Sequence, residues 1–180
     1  MTQISAQISP INDQQKAEVI DLTSDFIDQA ERLFLKPLAK IPVLFDLAGR
    51  SAGMFRVKKG IQEIRFNPWI FALDYDQNRH ETVPHEVAHY VVHALFGRRN
   101  IKPHGNEWQN VMIAFGRDPK ITCSYDLEKI PIRKLKHYAY RCLCQDHKIS
   151  SIRHNRMLKG QTYFCKSCRS VLEPITLESD

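Results

Sequence analysis

The chain has 180 residues, which is enough for one ordinary hydrophobic core and a small additional module. Its hydrophobic fraction is 43%, and no run approaches the roughly 18 apolar residues of a membrane span, so no membrane association is expected. The first ten residues contain neither a charged leader nor an apolar block. The sequence therefore predicts a cytoplasmic protein without a secretory signal.

Positive charge is concentrated near the C-terminus. Between Lys129 and Ser170 there are eleven Lys and Arg and one acid, Asp146, whereas the net charge of the whole chain is +6. The rest of the chain is therefore net acidic. A basic tail on an acidic body favours an anionic partner, and nucleic acid is favoured over membrane because no amphipathic apolar face accompanies the charge. A solvated, lysine-rich surface without a partner is the alternative.

The N-terminal part predicts a leader followed by a helix. Residues 1–11 are expected to form a flexible leader. Helical periodicity then predicts a helix from about Asn12 to Leu35, which Pro37 terminates. The predicted buried face of this helix consists of Ala17, Ile20, Phe26, Ile27, Ala30, Leu33 and Phe34.

A small sheet is predicted next. Ile41–Leu47 has the composition of a strand, and two further strands, Ala52–Val57 and Ile61–Phe66, flank the hairpin connection Lys58-Lys-Gly60. A short apolar segment, Trp69–Leu73, follows this sheet. The pattern therefore indicates helices and strands in one domain.

The segment after the sheet predicts a helix that carries two histidines. Asp74–Arg79 is expected to be a polar connector before it. Thr82 is a suitable N-cap, and Pro84 is tolerated in a first turn, where the amide it lacks would have no partner. Gly97 suits the left-handed position that ends a helix. The predicted buried stripe between these ends is Val87, Tyr90, Val91, Ala94 and Leu95.

His85-Glu-Val-Ala-His89 lies inside this predicted helix. Residues four apart project from the same face, so both imidazoles can bind one zinc ion at about 2.0–2.1 Å each. Glu86 is placed beside that ion, where its carboxylate can accept a proton from water without being a ligand. Two histidines that bind nothing are the alternative interpretation, and the helical context favours the metal site.

A catalytic zinc usually has three protein ligands and an open position for water. His93 is excluded as the third ligand because it lies eight residues from His85, about 12 Å along the helix axis. His104 is favoured because the chain can turn back after Gly97 and present it to the metal. Glu107, one turn further along, is the second candidate.

Four of the five cysteines fall in two close pairs, which in a reducing compartment favours metal binding over disulfides. Cys165-Lys-Ser-Cys168 has the spacing of a zinc knuckle. The other pair, Cys142 and Cys144, is irregular, and His147 could replace one of its members. We favour the two cysteines. Metal binding would supply the folding energy of a segment that has few apolar residues.

Basic residues accompany these cysteines and form a candidate nucleic-acid-binding set. Its members are Arg153, Arg156, Lys159, Lys166 and Arg169. The aromatic residues Tyr138, Tyr140, Tyr163 and Phe164 could stack on bases if they are exposed, or they could form the core of the module. Binding of nucleic acid by such a surface would weaken steeply with salt and depend little on sequence.

His85–His89 followed by His104-Gly-Asn-Glu-Trp108 resembles the SprT family. These are minimal zinc-metalloprotease-like proteins related to the Spartan proteases, which degrade proteins crosslinked to DNA. Ile64–Pro68 is similar to the strand end that precedes the metal-binding helix in that family, and Val83-Pro-His-Glu is similar to its first turn. Three C-terminal segments resemble its zinc ribbon: Tyr140–His147, Arg153–Arg156 and Tyr163–Cys168. The likeness spans about Ala52 to Leu172.

Together with the residues, the resemblance predicts an α+β protein. A minimal zincin-like metalloprotease domain with a small, partly antiparallel sheet is expected over 12–130, and a basic zinc-ribbon module over 131–180. By resemblance, a catalytic zinc is bound by His85, His89 and His104, with Glu86 as the catalytic base. A second, structural zinc is expected at the cysteines.

The predicted function is zinc-dependent hydrolysis of peptide bonds, in which the basic module could bring the site to protein substrates on DNA. A nucleic-acid-binding zinc adaptor with a non-catalytic histidine site is the alternative from a different functional class. A peptidase that is indifferent to DNA is a third possibility.

Overall fold

A computed structural model of the chain describes residues 8–97, 101–120, 125–130 and 136–175. The chain divides into two compact units, Met1–Ile132 and Arg133–Asp180. Both units contain helices and small sheets, which confirms the predicted α+β class. Within the described part of the chain, no helix combines the length and the apolar character that a bilayer span requires.

Helix α1, Asp13–Phe34, confirms the predicted N-terminal helix. A capping box begins it: the Asn12 side chain accepts the Gln15 N–H at 2.8 Å, and the Gln15 side chain accepts the Asn12 N–H at 3.0 Å. The buried residues are Val19, Thr23, Phe26, Ile27 and Ala30. The prediction that Ala17, Ile20 and Leu33 are buried was wrong, since the buried face turns toward Val19 and Thr23.

The predicted flexible leader is ordered at its end. Ile11 is only 3% exposed, and its N–H donates to the backbone carbonyl of Pro68 at 3.1 Å. Residues 1–7 of that leader lie outside the described residues. The core of the first unit therefore includes the residue just before the α1 cap.

Three strands form the sheet of the first unit, in the order β1-β3-β2. They are β1 (Val43–Leu44), β2 (Gly53–Lys58) and β3 (Ile61–Phe66). The last two form the predicted antiparallel hairpin, whose turn residues Lys59 and Gly60 both have positive φ. Strand β1 pairs in parallel with β3 and is much shorter than predicted. Gly53, opposite Phe66, is thus at the start of an edge strand.

The histidine-bearing helix begins earlier than predicted. After α2 (Pro68–Leu73), helix α3 runs over Tyr75–Phe96, because the Asp74 side chain accepts the Gln77 N–H at 3.0 Å and caps it. Thr82, the predicted cap, is buried inside the helix, and Pro84 is also internal. The end at Gly97 is confirmed.

Helix α3 is the centre of the first unit. It packs against α1, β2 and α4, which spans Asn106–Ala114, and a short 3-10 helix follows over Leu127–Lys129. The large side chains that are almost fully buried include Ile64, Phe66, Phe71, Val83, Val87, Val91, Trp108 and Val111. The apolar stripe of α3 therefore faces the core and fixes the direction in which its other residues project.

The second unit is small. Its elements are β4 (His137–Arg141), β5 (Asp146–Ser150), α5 (Ser151–Leu158) and β6 (Glu173–Pro174), with the strands in the order β5-β4-β6. Short strands and turns around the cysteines were predicted, whereas α5 was not. This helix buries none of its residues, and its apolar side chains Ile152 and Leu158 are exposed. The buried cluster consists of Tyr140, Cys142, Ile149, Cys165 and Leu172.

We expect Ile64→Ala to lower the free energy of unfolding of the first unit by about 2–5 kcal/mol, because Ile64 is fully buried. Ile61 lies in the same strand but is 61% exposed. Ile61→Ala should therefore change the free energy of unfolding by no more than about 0.5 kcal/mol. Urea denaturation followed by tryptophan fluorescence measures both, since Trp69 and Trp108 are in this unit. Equal losses would contradict the described orientation of β3.

Candidate metal centres and catalytic site

Three histidine rings meet beside α3. His85 and His89 project from one face of the helix, and His104 arrives from the turn that leads into α4. The Nε2 atom of His85 lies 3.2 Å from that of His89 and 3.1 Å from that of His104. Among the described residues, these three form one group that could hold a metal ion, and neither His93 nor Glu107 belongs to it.

The spacing of these nitrogens fits a tetrahedral zinc ion. At zinc–nitrogen bonds of about 2.0–2.1 Å, two ligand nitrogens are about 3.3–3.4 Å apart. Burial lowers the pKa of His85 to about 4 and that of His89 to about 3. Both rings are therefore neutral at pH 7 and can offer a lone pair to a cation.

Groups outside the histidine set hold the rings in place. Trp108 is fully buried, and its Nε1–H donates to the backbone carbonyl of His85 at 3.2 Å. Its ring centroid lies 4.7 Å from that of His85 and 4.8 Å from that of His104. The backbone carbonyl of Lys120 raises the pKa of His85 and so partly opposes the effect of burial. Contacts like those of Trp108 fix the orientation of metal-binding imidazoles.

Sequence reasoning assigned no role to Trp108 or to the Lys120 carbonyl. The position of Trp108, four residues after His104, was the available signal for the first. No side-chain pattern marks a backbone carbonyl, so the second could not have been found from the sequence.

Glu86 lies next to the histidines but outside their group. Its side chain is buried, and Oε2 accepts the backbone N–H of Phe55 at 2.7 Å. Burial raises the pKa of Glu86 to about 7, and the hydrogen bond from Phe55 opposes this rise. A carboxyl group with a pKa near neutrality can both take up and release a proton at physiological pH.

A cavity of about 460 Å³ opens beside these residues. Its lining includes Gly53, Thr82, His85, Glu86, Arg117 and Tyr125. The volume is within the range of pockets that take small molecules or short peptide segments. The candidate base and one of the three histidines thus border a space that a substrate could occupy.

Four thiols meet in the second unit. The sulfur atoms of Cys142, Cys144, Cys165 and Cys168 all lie within 4.8 Å of one another. Sγ of Cys144 is 3.4 Å from that of Cys142 and 3.8 Å from that of Cys165. A tetrahedral zinc with bonds of about 2.3 Å would place its sulfur ligands about 3.8 Å apart. The donor set and its spacing therefore fit zinc.

His147 takes a different position from the four thiols. Its Nε2 lies 3.2 Å from Sγ of Cys142, but the group of potential ligands does not include it. On the other side of the cluster, the Ser170 hydroxyl lies 3.0 Å from Sγ of Cys168, and hydrogen bonding to Ser170 lowers the pKa of Cys168 to about 6. A lowered pKa favours the thiolate that binds metal.

The predicted nucleic-acid-binding residues lie on α5 and around the cysteines. Within the described part of the second unit, Arg153, Arg156, Lys159, Lys166 and Arg169 form no ion pair, whereas Arg141 pairs with Asp146 at 2.6 Å. Tyr140 belongs to the core, and Tyr138 stacks on His154 with ring centroids 3.5 Å apart. Of the aromatic residues considered for stacking, Phe164 is 59% exposed.

Comparison with known proteins gives the family. The SprT-like family profile matches residues 23–127. Protein SprT of Pseudomonas paraeruginosa is 36% identical over 148 residues, which are 80% of this chain and 86% of that protein. Protein SprT of Shewanella oneidensis is 34% identical over 157 residues, 86% of this chain and 96% of that protein.

A third relative, Protein SprT of Pseudomonas syringae pv. tomato, is 37% identical over 147 residues, 80% of this chain and 86% of that protein. No solved structure matches the chain significantly. The family profile covers all three converging histidines and Glu86, and the matches to relatives extend over most of the chain. The chain therefore belongs to the SprT-like family.

Proposed function

We propose that this protein is a zinc-dependent peptidase with a zincin-like first unit, and that it hydrolyses peptide bonds of proteins bound to DNA. The observation that carries the proposal is the convergence of three imidazoles next to a buried carboxylate at the edge of a cavity. Family membership supports a metalloprotease-like chemistry. The predicted cytoplasmic location is part of the same proposal.

In this proposal, His85, His89 and His104 hold the zinc. A zinc ion in such a site polarises the scissile carbonyl and lowers the pKa of the attacking water. Trp108 would keep the His85 ring in place, because the two rings are in contact with centroids 4.7 Å apart and the Trp108 Nε1–H also donates to the His85 backbone carbonyl.

Glu86 carries the proton. Its Oε2 already accepts the Phe55 N–H, so Oε1 is the oxygen left to take a proton from water. Glu86 then passes this proton to the amine of the departing peptide. With a pKa of about 7, Glu86 can take up a proton as a base in the first step and release it as an acid in the second.

The second unit would hold a structural zinc through its four cysteines. Its buried cluster is too small to stabilise an independent fold by apolar burial alone. Zinc binding would supply the missing free energy, since four thiolates in a closed tetrahedral site bind tightly. His147 would then support the Cys142 thiolate as a hydrogen-bond donor.

The unpaired cations of the second unit support DNA as its partner. Phosphate groups would balance the charges of Arg153, Arg156, Lys159, Lys166 and Arg169, which lack acidic partners in the described part of this unit. Because both units belong to one chain, binding to DNA would raise the local concentration of the peptidase near proteins on that DNA.

The alternative function is that of a nucleic-acid-binding adaptor with a non-catalytic zinc site. The same unpaired cations and four thiols support it, and it requires no turnover. Cleavage of a DNA-bound protein, measured with and without DNA, separates the two functions. DNA binding without cleavage under any condition would favour the adaptor.

Purified protein is expected to contain about two zinc ions per chain, one in each ligand group. His89→Ala should lose one ion, because two imidazoles alone bind zinc weakly. His93→Ala is the matched control, since His93 is on the same helix but outside the group. Inductively coupled plasma mass spectrometry after gel filtration measures the content. Equal content in the two variants would contradict the site.

The same measurement separates the possible ligands of the second unit. Cys165→Ser should lose the other ion, whereas His147→Ala should retain it with about 10- to 100-fold weaker affinity, as expected for a residue that supports a ligand. Loss of the ion from both variants at equal chelator concentration would place His147 among the ligands.

Glu86→Gln should retain zinc and lower the rate of cleavage by about 10²- to 10⁴-fold, the usual contribution of a general base. Glutamine keeps an oxygen that can accept the Phe55 N–H but cannot take up the proton. Single-turnover cleavage of a protein crosslinked to DNA measures the rate. Glu107→Gln is the control, because Glu107 lies outside the histidine group. Full activity of Glu86→Gln would remove the proposed role of Glu86.

Replacing Arg153, Arg156 and Lys159 by Gln should weaken DNA binding and reduce the slope of log K against log salt by roughly 2–3, since each phosphate contact contributes about 0.7–0.9. Arg141→Gln also removes an exposed arginine, but Asp146 already neutralises that charge, so its effect should be much smaller. Fluorescence anisotropy with labelled DNA measures both. Equal slopes for wild type and the triple variant would contradict this surface.

A further inference from the structure

Gly53 is a point of very close approach between β2 and α3. A Cβ atom placed on Gly53 would lie 2.6 Å from Cγ and 2.8 Å from Oε1 of Glu86, and 2.9 Å from Cγ2 of Thr82. Gly53 is not among the glycines with positive φ. The constraint on this position is therefore space and not backbone conformation.

The neighbours of Gly53 are not free to move away. Glu86 is buried, and the Phe55 N–H holds its Oε2 at 2.7 Å. Thr82 is buried one turn earlier on α3, and its hydroxyl donates to Oδ1 of Asn78 at 2.8 Å. A methyl group at position 53 would thus have to displace a carboxylate that is held by a charge-assisted hydrogen bond.

We propose that Gly53 is a positioning residue for Glu86. The missing side chain lets the carboxylate lie against β2, where Oε2 accepts the Phe55 N–H. Among the described residues, none donates a hydrogen bond to Oε1. The edge strand thereby selects which carboxylate oxygen exchanges the proton. This inference rests on the proposed role of Glu86 as the base.

Gly53→Ala should lower kcat about 10- to 100-fold with little change in zinc content, because a small misplacement of a catalytic group is costly whereas the three histidines are unchanged. The matched control is Met54→Ala, which alters the next residue of the same strand. Met54 is 38% exposed and does not line the cavity. Its replacement should leave kcat unchanged.

A second measurement does not depend on catalysis. Hydrogen exchange of the Phe55 amide, followed by NMR in the zinc-loaded protein, reports directly on its bond to Glu86. Glu86→Ala removes the acceptor and should accelerate this exchange about 10- to 100-fold, as expected for a hydrogen bond to a charged group. Gly53→Ala should produce an acceleration of similar size, and Met54→Ala should produce none.

A rescue variant separates displacement of Glu86 from general damage to the fold. Thr82→Ser removes the Cγ2 methyl group but keeps the hydroxyl that binds Asn78. Combined with Gly53→Ala, it removes one of the three close contacts of the new methyl group, so kcat and Phe55 protection should both partly recover. The double variant also tests the inference if Gly53→Ala alone is unstable.

Wild-type Phe55 protection and wild-type kcat in Gly53→Ala would overturn the inference. If the wild-type protein cleaves no substrate, the proposed peptidase function fails, and the exchange of the Phe55 amide still decides whether Gly53 positions Glu86. Acceleration in Gly53→Ala that matches Glu86→Ala would support the inference in either case.

Discussion

The site depends on bringing three imidazole nitrogens to within 4.8 Å of one another while the pKa of each ring is lowered by burial. When all three nitrogens present lone pairs, this arrangement is unfavourable by itself, because the nitrogens lose water and repel one another. The first unit enforces it through packing: α3 is fixed by its buried stripe against α1, α4 and β2, and Trp108 touches the rings from α4. A cation placed between the nitrogens would relieve this repulsion, which is the physical basis for assigning a metal site.

Glu86 presents a second unfavourable group in the same place. A buried carboxyl group is tolerated only if it is neutral or hydrogen-bonded. Here the Phe55 amide satisfies one oxygen, and Gly53 leaves room for the group to lie flat against the edge strand. The hairpin and the helix therefore enclose the carboxylate between them, and the Phe55 N–H that makes its burial tolerable also determines the position of Oε2.

The predictable features of this protein were those encoded by short-range spacing. The i, i+4 histidines, the hairpin around Gly60, the end of α3 at Gly97 and the C-x-x-C pair all follow from local rules, and the structure contains each of them. The convergence of His104 required a chain reversal, which the sequence suggested without excluding Glu107. The four-thiol group likewise leaves out His147, although the spacing in the sequence allowed His147 as well as the four cysteines to be ligands.

Long-range contacts were not predictable. The start of α3 was misplaced because Asp74 and Thr82 are both good caps, and only tertiary packing decides between them. Helix α5 has eight residues and buries none of them, so it is too short for the apolar repeat that predicted α1 and α3. The role of Gly53 depends on how closely a strand approaches a helix more than 25 residues away along the chain, and that distance appears only in three dimensions.

Anomalous diffraction at the zinc edge from crystals of the purified protein tests the central claim most directly. A peak within bonding distance of Nε2 of His85, His89 and His104, with Glu86 close by but not bonded to the ion, is the predicted result. The absence of a peak at these three nitrogens in zinc-supplemented crystals, or a peak bonded to the Glu86 carboxylate, would contradict the account.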